Sequence, residues 1–307
     1  MEIPSAKFGA LEYTPALSNG AGMIKKLEDV REMALSAAGA IVVGSITLKD
    51  RPGNTGNTFW VGQTGSINSL GIPNPGKEYY RQNIHLMVGV AHAHGKKLIV
   101  NVAGFQPNEF GELALLAFDC GADAVELNFG CPNIWDDGTQ KGIISFYPDV
   151  LGESLEAVRR AVGVGSNIIA KVSPFSNPIQ LKEIGGVIVS SGIVSAITAI
   201  NTFPNAYGEY ENGRPVIDPG GGLGGFAGAG LKHIALGQVK QWRALLPPEI
   251  AIIGVGGISR GKDMAEYFRH GKVAAVQVVT ALLRKGHMDP NALSTILMEY
   301  AELPDAA

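Results

Sequence analysis

Two carboxamides flank a thiol in Asn128-Phe129-Gly130-Cys131-Pro132-Asn133. Each amide offers a donor and an acceptor, so a pair of them can hold the edge of a planar polar ring. A cysteine titrates in the range ~8–9 when unperturbed, so Cys131 can move a proton near neutral pH. A free cysteine is also a common small filler of apolar interiors, and this residue alone does not decide between the two. Further polar residues recur where apolar runs end, at Asn101, Asn128, Lys171 and Asn201. One asparagine at such a place is an ordinary turn residue, but several at successive run ends point to one spot. Lys171 sits near the end of an otherwise apolar run. A buried lysine finds a partner or loses its proton, and either an electron-rich ring heteroatom or a structural ion pair would suit it.

These side chains need a scaffold that brings strand ends together. Apolar runs of strand length occupy 17–20, 40–43, 97–102, 122–128, 167–172, 196–201, 249–254 and 274–279. Segments of helical period lie between several of them, at 26–37, 107–118, 151–161, 231–246 and 261–268. Eight such units without a composition break predict an α/β fold, a single (β/α)8 TIM barrel spanning residues 1–307. Two long insertions rich in glycine, asparagine and proline, 48–80 and 203–230, follow strand ends on the face where barrels build active sites. They read as structureless binding loops.

The late part of the chain carries a second signal. Gly254-Val255-Gly256-Gly257-Ile258 follows the seventh strand, and Val279-Thr280 follows the eighth and runs into a short helical turn, Ala281-Leu282. Loops there form the usual phosphate site of barrels, because backbone N–H groups point at the anion and glycine allows close approach. A phosphate site, a flat polar pocket and a lysine together suit FMN, with the substrate under Cys131.

Composition bounds the reading. The chain has 307 residues, of which 46% are hydrophobic and 17% charged, enough for a large core. A net charge of −3 gives no global field for nucleic acid or an anionic membrane. Gly is frequent at 41, and many of these glycines sit just after apolar runs, which suits βα turns and phosphate-binding loops. The cysteines are only two, Cys120 and Cys131, so neither a disulfide scaffold nor an iron–sulfur cluster is expected, and no metal site is read. The first residues lack a signal-peptide core, and no apolar run reaches the ~18 residues of a spanning helix. A cytoplasmic protein acting on a small molecule is expected.

Over nearly its whole length the chain resembles the soluble, class 1 dihydroorotate dehydrogenases. Gly65-Ser66-Ile67-Asn68-Ser69-Leu70-Gly71-Ile72-Pro73-Asn74 is similar to that family's substrate-loop motif, and Asn128 to Asn133 to its catalytic loop. Asn201-Thr202 stands where the family has Asn-Ser or Asn-Thr, and Gly224-Gly225-Phe226-Ala227-Gly228 resembles its flavin loop. The resemblance implies FMN and Cys131 as the base, which removes a proton next to the substrate carbonyl while the adjacent carbon gives a hydride to flavin N5. It implies substrate contacts from Asn68, Leu70, Gly71, Ile72, Asn128, Asn133, Asn201 and Thr202. It implies cofactor contacts from Gly20, Ala21, Ser45, Asn101, Asn128, Lys171, Gly228, Gly256, Gly257 and Thr280. It also implies a homodimer, with fumarate or an electron-transfer partner subunit as acceptor. The loop 134–145 reads as a lid over the substrate.

The chain departs from the family's pattern at three positions. The class carries a Thr-Lys-Ser whose lysine meets flavin and substrate carboxylate; here the stretch reads Val43-Gly44-Ser45. Gly130 replaces a usual serine and Val279 a usual glycine. The missing cation motivates one alternative, a paralogue acting on an uncharged ring. A second is a tRNA dihydrouridine synthase, whose motif also reads Asn-x-Gly-Cys-Pro, although the chain lacks a basic RNA-binding face. A third is a flavin-binding partner subunit without catalysis.

Overall fold

The computed structural model describes residues 1–136, 138–284 and 287–304. Eight parallel strands close into one barrel: β1 (Leu17–Asn19), β2 (Ala40–Ile46), β3 (Lys97–Val102), β4 (Ala124–Asn128), β5 (Ile168–Val172), β6 (Val194–Ala199), β7 (Ala251–Val255) and β8 (Ala275–Val278). Each pairs with its sequence neighbours, and β8 returns to β1. Eight α-helices among the described residues follow them in turn: α1 (Leu27–Ala34), α2 (Lys77–Ala93), α3 (Pro107–Asp119), α4 (Pro148–Val162), α5 (Pro178–Ser191), α6 (Lys232–Leu245), α7 (Gly261–Glu266) and α8 (Asn291–Ala301). This is the expected (β/α)8 barrel.

Local chemistry explains the boundaries. α4 begins with proline in its first turn, where a missing N–H costs nothing, and ends at Gly163 with φ +75°. At the start of α1 the Asp29 carboxylate accepts from the backbone N–H groups of Lys25 and Lys26, both at 2.8 Å. That helix stops at Ala34, short of the expected residue 37. The strand expected at 196–201 instead covers Val194–Ala199, which frees Ile200 and Asn201 for the loop above.

The barrel interior is filled from below. A hairpin, Ala6–Phe8 with Leu11–Tyr13, inserts Phe8, Leu11 and Tyr13 against Val42, Ile99, Ile169 and Ile253. With that end closed by apolar residues, polar side chains concentrate at the opposite, C-terminal end of the strands.

The two insertions are not structureless. Strands Phe59–Val61 and Ser66–Asn68 of the first join Phe203–Ala206 and Gly224–Ala227 of the second in one four-stranded antiparallel sheet. Gly225 stands opposite Asn68 in its register. No helix among the described residues is long and apolar enough to cross a membrane.

Candidate active site

A cavity of about 790 Å³ opens at the C-terminal ends of the strands, roofed by the two insertions. Its wall includes Cys131, the four asparagines 68, 128, 133 and 201, and Lys171. Leu70, Gly71, Ile72, Thr202, Ala21, Ser45, Gly228, Gly256, Gly257 and Thr280 line it as well. Two expected cofactor residues are not in the wall. The Gly20 N–H donates to the Val278 carbonyl at 2.8 Å, and a Cβ there would stand 2.5 Å from the Val279 side chain. Asn101 is fully buried and points its Nδ2 at Glu126.

The asparagines form two linked pairs. Asn201 Nδ2 donates to Asn128 Oδ1 at 3.1 Å, and Asn128 Nδ2 donates to Ser45 Oγ at 2.9 Å. Asn133 Nδ2 donates to Asn68 Oδ1 at 2.8 Å, and Asn68 Nδ2 to the Gly225 carbonyl at 3.1 Å. The second pair is braced by Asn54, whose Nδ2 donates to the Ser69 carbonyl at 2.8 Å and the Asn133 carbonyl at 3.1 Å. Such networks fix amide orientation before a ligand arrives. Ile72 holds φ +58°, a conformation that β-branched residues avoid, and Asn74 Nδ2 donates to its carbonyl at 3.0 Å.

Cys131 is half-buried, and its remaining surface faces the cavity. Burial pushes its thiol above the ordinary value. A hydrogen bond from the Asn133 backbone and the charges of Lys25, Lys171 and Arg51 pull the other way without overcoming it. Gly130 lets the loop lie flat on β5: a Cβ there would sit 2.6 Å from Ser173 N and 2.7 Å from Val172 C. The departure from serine therefore follows from packing.

The lid expectation falls on a short hairpin, Trp135–Asp136 with Thr139–Gln140, with residue 137 outside the described set. Trp135 Nε1 donates to Ser69 Oγ at 3.1 Å, and a Cβ at Gly220 would strike the Trp135 indole. The segment therefore touches both insertions.

Two charged groups were not singled out by the strand-end pattern. Glu126 is fully buried and accepts from Asn101 Nδ2 at 2.7 Å, Thr198 Oγ1 at 2.6 Å and Gln277 Nε2 at 3.0 Å. Lys171 Nζ lies 3.9 Å from it. The sequence signal was a carboxylate inside an apolar strand. Lys25 also lines the cavity; in sequence it is one of two lysines before a helix, which reads as a surface feature.

The residues fit a flavin. The volume lies in the usual range for ligand sites. Gly228, at φ +91°, approaches Gly65 so closely that a Cβ would be 2.7 Å from its Cα, so only glycine fits there. Thr202 Oγ1 and Gln277 Oε1 are buried there without a hydrogen-bond partner among the described residues, which is the state of polar atoms awaiting a ligand.

A sequence profile for the family described as dihydroorotate dehydrogenase matches residues 5–301. The chain is 29% identical over 301 residues to dihydroorotate dehydrogenase A (fumarate) of Lactococcus lactis subsp. lactis, covering 97% of this chain and 93% of that one. It is 30% identical over 258 residues to the catalytic subunit of dihydroorotate dehydrogenase B (NAD(+)) of Methanocaldococcus jannaschii, covering 84% and 80%. The corresponding subunit of Porphyromonas gingivalis is 32% identical over 241 residues, covering 78% and 73%. With that profile spanning both the barrel and the cysteine loop, the chain belongs to the dihydroorotate dehydrogenase family.

Proposed function

We propose that the chain is an FMN-dependent oxidoreductase that interconverts a CH–CH and a C=C bond next to a ring carbonyl, with the dihydroorotate/orotate pair as the reference substrate. The observation that carries the reading is the convergence of Cys131 and two linked asparagine pairs on one cavity. FMN, when bound, would supply the two-electron acceptor. Gly228, Gly256, Gly257 and Thr280 would hold its phosphate end, and Lys171, Asn128 and Ser45 its ring.

The protein's own part is positioning and proton transfer. The asparagines present amide donors and acceptors to a planar ring from two sides. Cys131, once deprotonated, takes the proton from the carbon beside the ring carbonyl. The insertion sheet, which lines the cavity with Phe59, Ser66, Asn68 and Ala227, shields that carbon from water. A homodimer is part of the proposal, as is an acceptor outside the chain: one relative is named for fumarate and another as a catalytic subunit with NAD(+).

The test is an anaerobic titration of the purified yellow protein with dihydroorotate. Bleaching of the flavin band is expected. An unbleached band that dithionite still reduces would leave a flavoprotein of this family with a different substrate.

A further inference from the structure

Lys25 enters the cavity beside the position where the family's pattern would place a lysine. Its backbone follows Ile24, which bridges Val43 of β2 in parallel. The Gly44 N–H donates to the Ile24 carbonyl at 2.9 Å, and the Gly22 N–H donates to the Gly44 carbonyl at 2.8 Å. Gly44 cannot carry a side chain on this backbone. Its φ is +115°, and a Cβ would stand 2.2 Å from the Asn101 carbonyl oxygen.

Lys25 shares the cavity wall with Ser45, Asn68, Cys131 and Asn133. Among the described residues its ammonium has no hydrogen-bond or ion-pair partner, while the nearby Asp29 carboxylate is engaged by the backbone of Lys25 and Lys26. Loss of water around the ammonium lowers its pKa to about 8; Cys131 and Asp29 oppose the shift and Lys171 adds to it. A cation held in such a site is stabilised most by an anion arriving in the cavity.

We propose that Lys25 is the receptor for a carboxylate on the substrate ring: it supplies, from the segment before α1, the charge that β2 lacks at Gly44, and it makes the site selective for an anionic ring. This rests on the oxidoreductase reading above for the kind of ring. It removes the ground for an uncharged substrate, which was the absence of a substrate-side cation.

The flavin-loaded protein is titrated with orotate and with its uncharged carboxamide, orotamide, by the shift of the flavin band and by calorimetry. Orotate is expected to bind at least about 30-fold more tightly than orotamide. Lys25→Met should bring orotate to the orotamide value, with orotamide affinity and flavin content held within about twofold; Lys25→Gln is read the same way, and Lys25→Arg should keep most of the preference. Equal binding of the two ligands by the unaltered protein overturns the proposal without requiring any variant to fold. So does a neutral variant whose orotate affinity is unchanged. A protein that binds orotamide, and whose flavin is reduced by dihydroorotamide but not by dihydroorotate, overturns the proposal and keeps the oxidoreductase reading. A protein that binds neither ring overturns the proposal together with dihydroorotate as the reference substrate.

Discussion

Asn133 Nδ2 donates to Asn68 Oδ1 across 2.8 Å, tying the cysteine loop after β4 to the first insertion. The two amides orient each other, so each depends on its partner for the face it offers a ligand. Asn133→Ala leaves Asn68 without that donor and is expected to raise the orotate dissociation constant by about tenfold or more. Flavin content should stay near that of the parent. An unchanged constant would remove the pair from substrate recognition.

Cys131→Ala should lower turnover by about 10²–10⁴-fold while the flavin still binds, because a positioned general base contributes that much. Cys131→Ser should retain more. Single-turnover flavin reduction by dihydroorotate reads both, and full activity in Cys131→Ala would remove the thiol from the mechanism.

The pH dependence follows from two groups shifted in opposite directions. The Cys131 thiol is raised, so thiolate accumulates only above the ordinary value of 9.0. Lys25 is lowered, so its charge is present below about pH 8 and is lost above it. An anionic substrate needs both charged forms, with Cys131, Asp29 and Lys171 the charged or titrating groups around Lys25. Then kcat/KM should rise to about pH 8 and level off, since each further gain in thiolate is matched by loss of ammonium. Lys25→Met should remove the levelling, and the rise should continue past pH 9.0.

Gly130→Ser tests whether packing excludes the family's serine. The new Cβ meets Ser173 N at 2.6 Å and Val172 C at 2.7 Å, both backbone atoms that do not yield cheaply. Destabilisation of about 1–3 kcal/mol is expected, read by chemical denaturation. An unchanged midpoint would show that the loop lifts without strain.

Glu126→Ala should destabilise the barrel by about 3–5 kcal/mol, because Lys171 would lose its buried counter-charge and three donors their acceptor. Glu126→Gln, which keeps the shape, should lose less. The same denaturation experiment separates the two.

The barrel was readable in the sequence because parallel strands buried on both faces appear as continuous apolar runs, and 97–102 matches β3 residue for residue. Helices α2, α5 and α8 were not identified. α5 spreads apolar residues onto its exposed side, with Ile179 and Val189 in solvent, and carries Gly185-Gly186, so its period of 3.6 is blurred. Cys131 and the asparagines were legible since their types and spacing are local. The insertion sheet was not: Asn68 and Gly225 pair across half of the chain, and no short-range pattern encodes that. Lys25 was missed for a related reason. Only the fold places the segment before α1 against Gly44.

Gly44 also sets a direction on how this pocket can change. If the charge at 25 is gained before the charge at 44 is lost, every intermediate keeps a cation; the reverse order passes through a site with none. Once β2 has settled with Gly44 against the Asn101 carbonyl, a single substitution back to lysine meets that oxygen at 2.2 Å. The glycine therefore acts as a ratchet: the backbone around it closes position 44 to a side chain and leaves position 25 as the place for a charge.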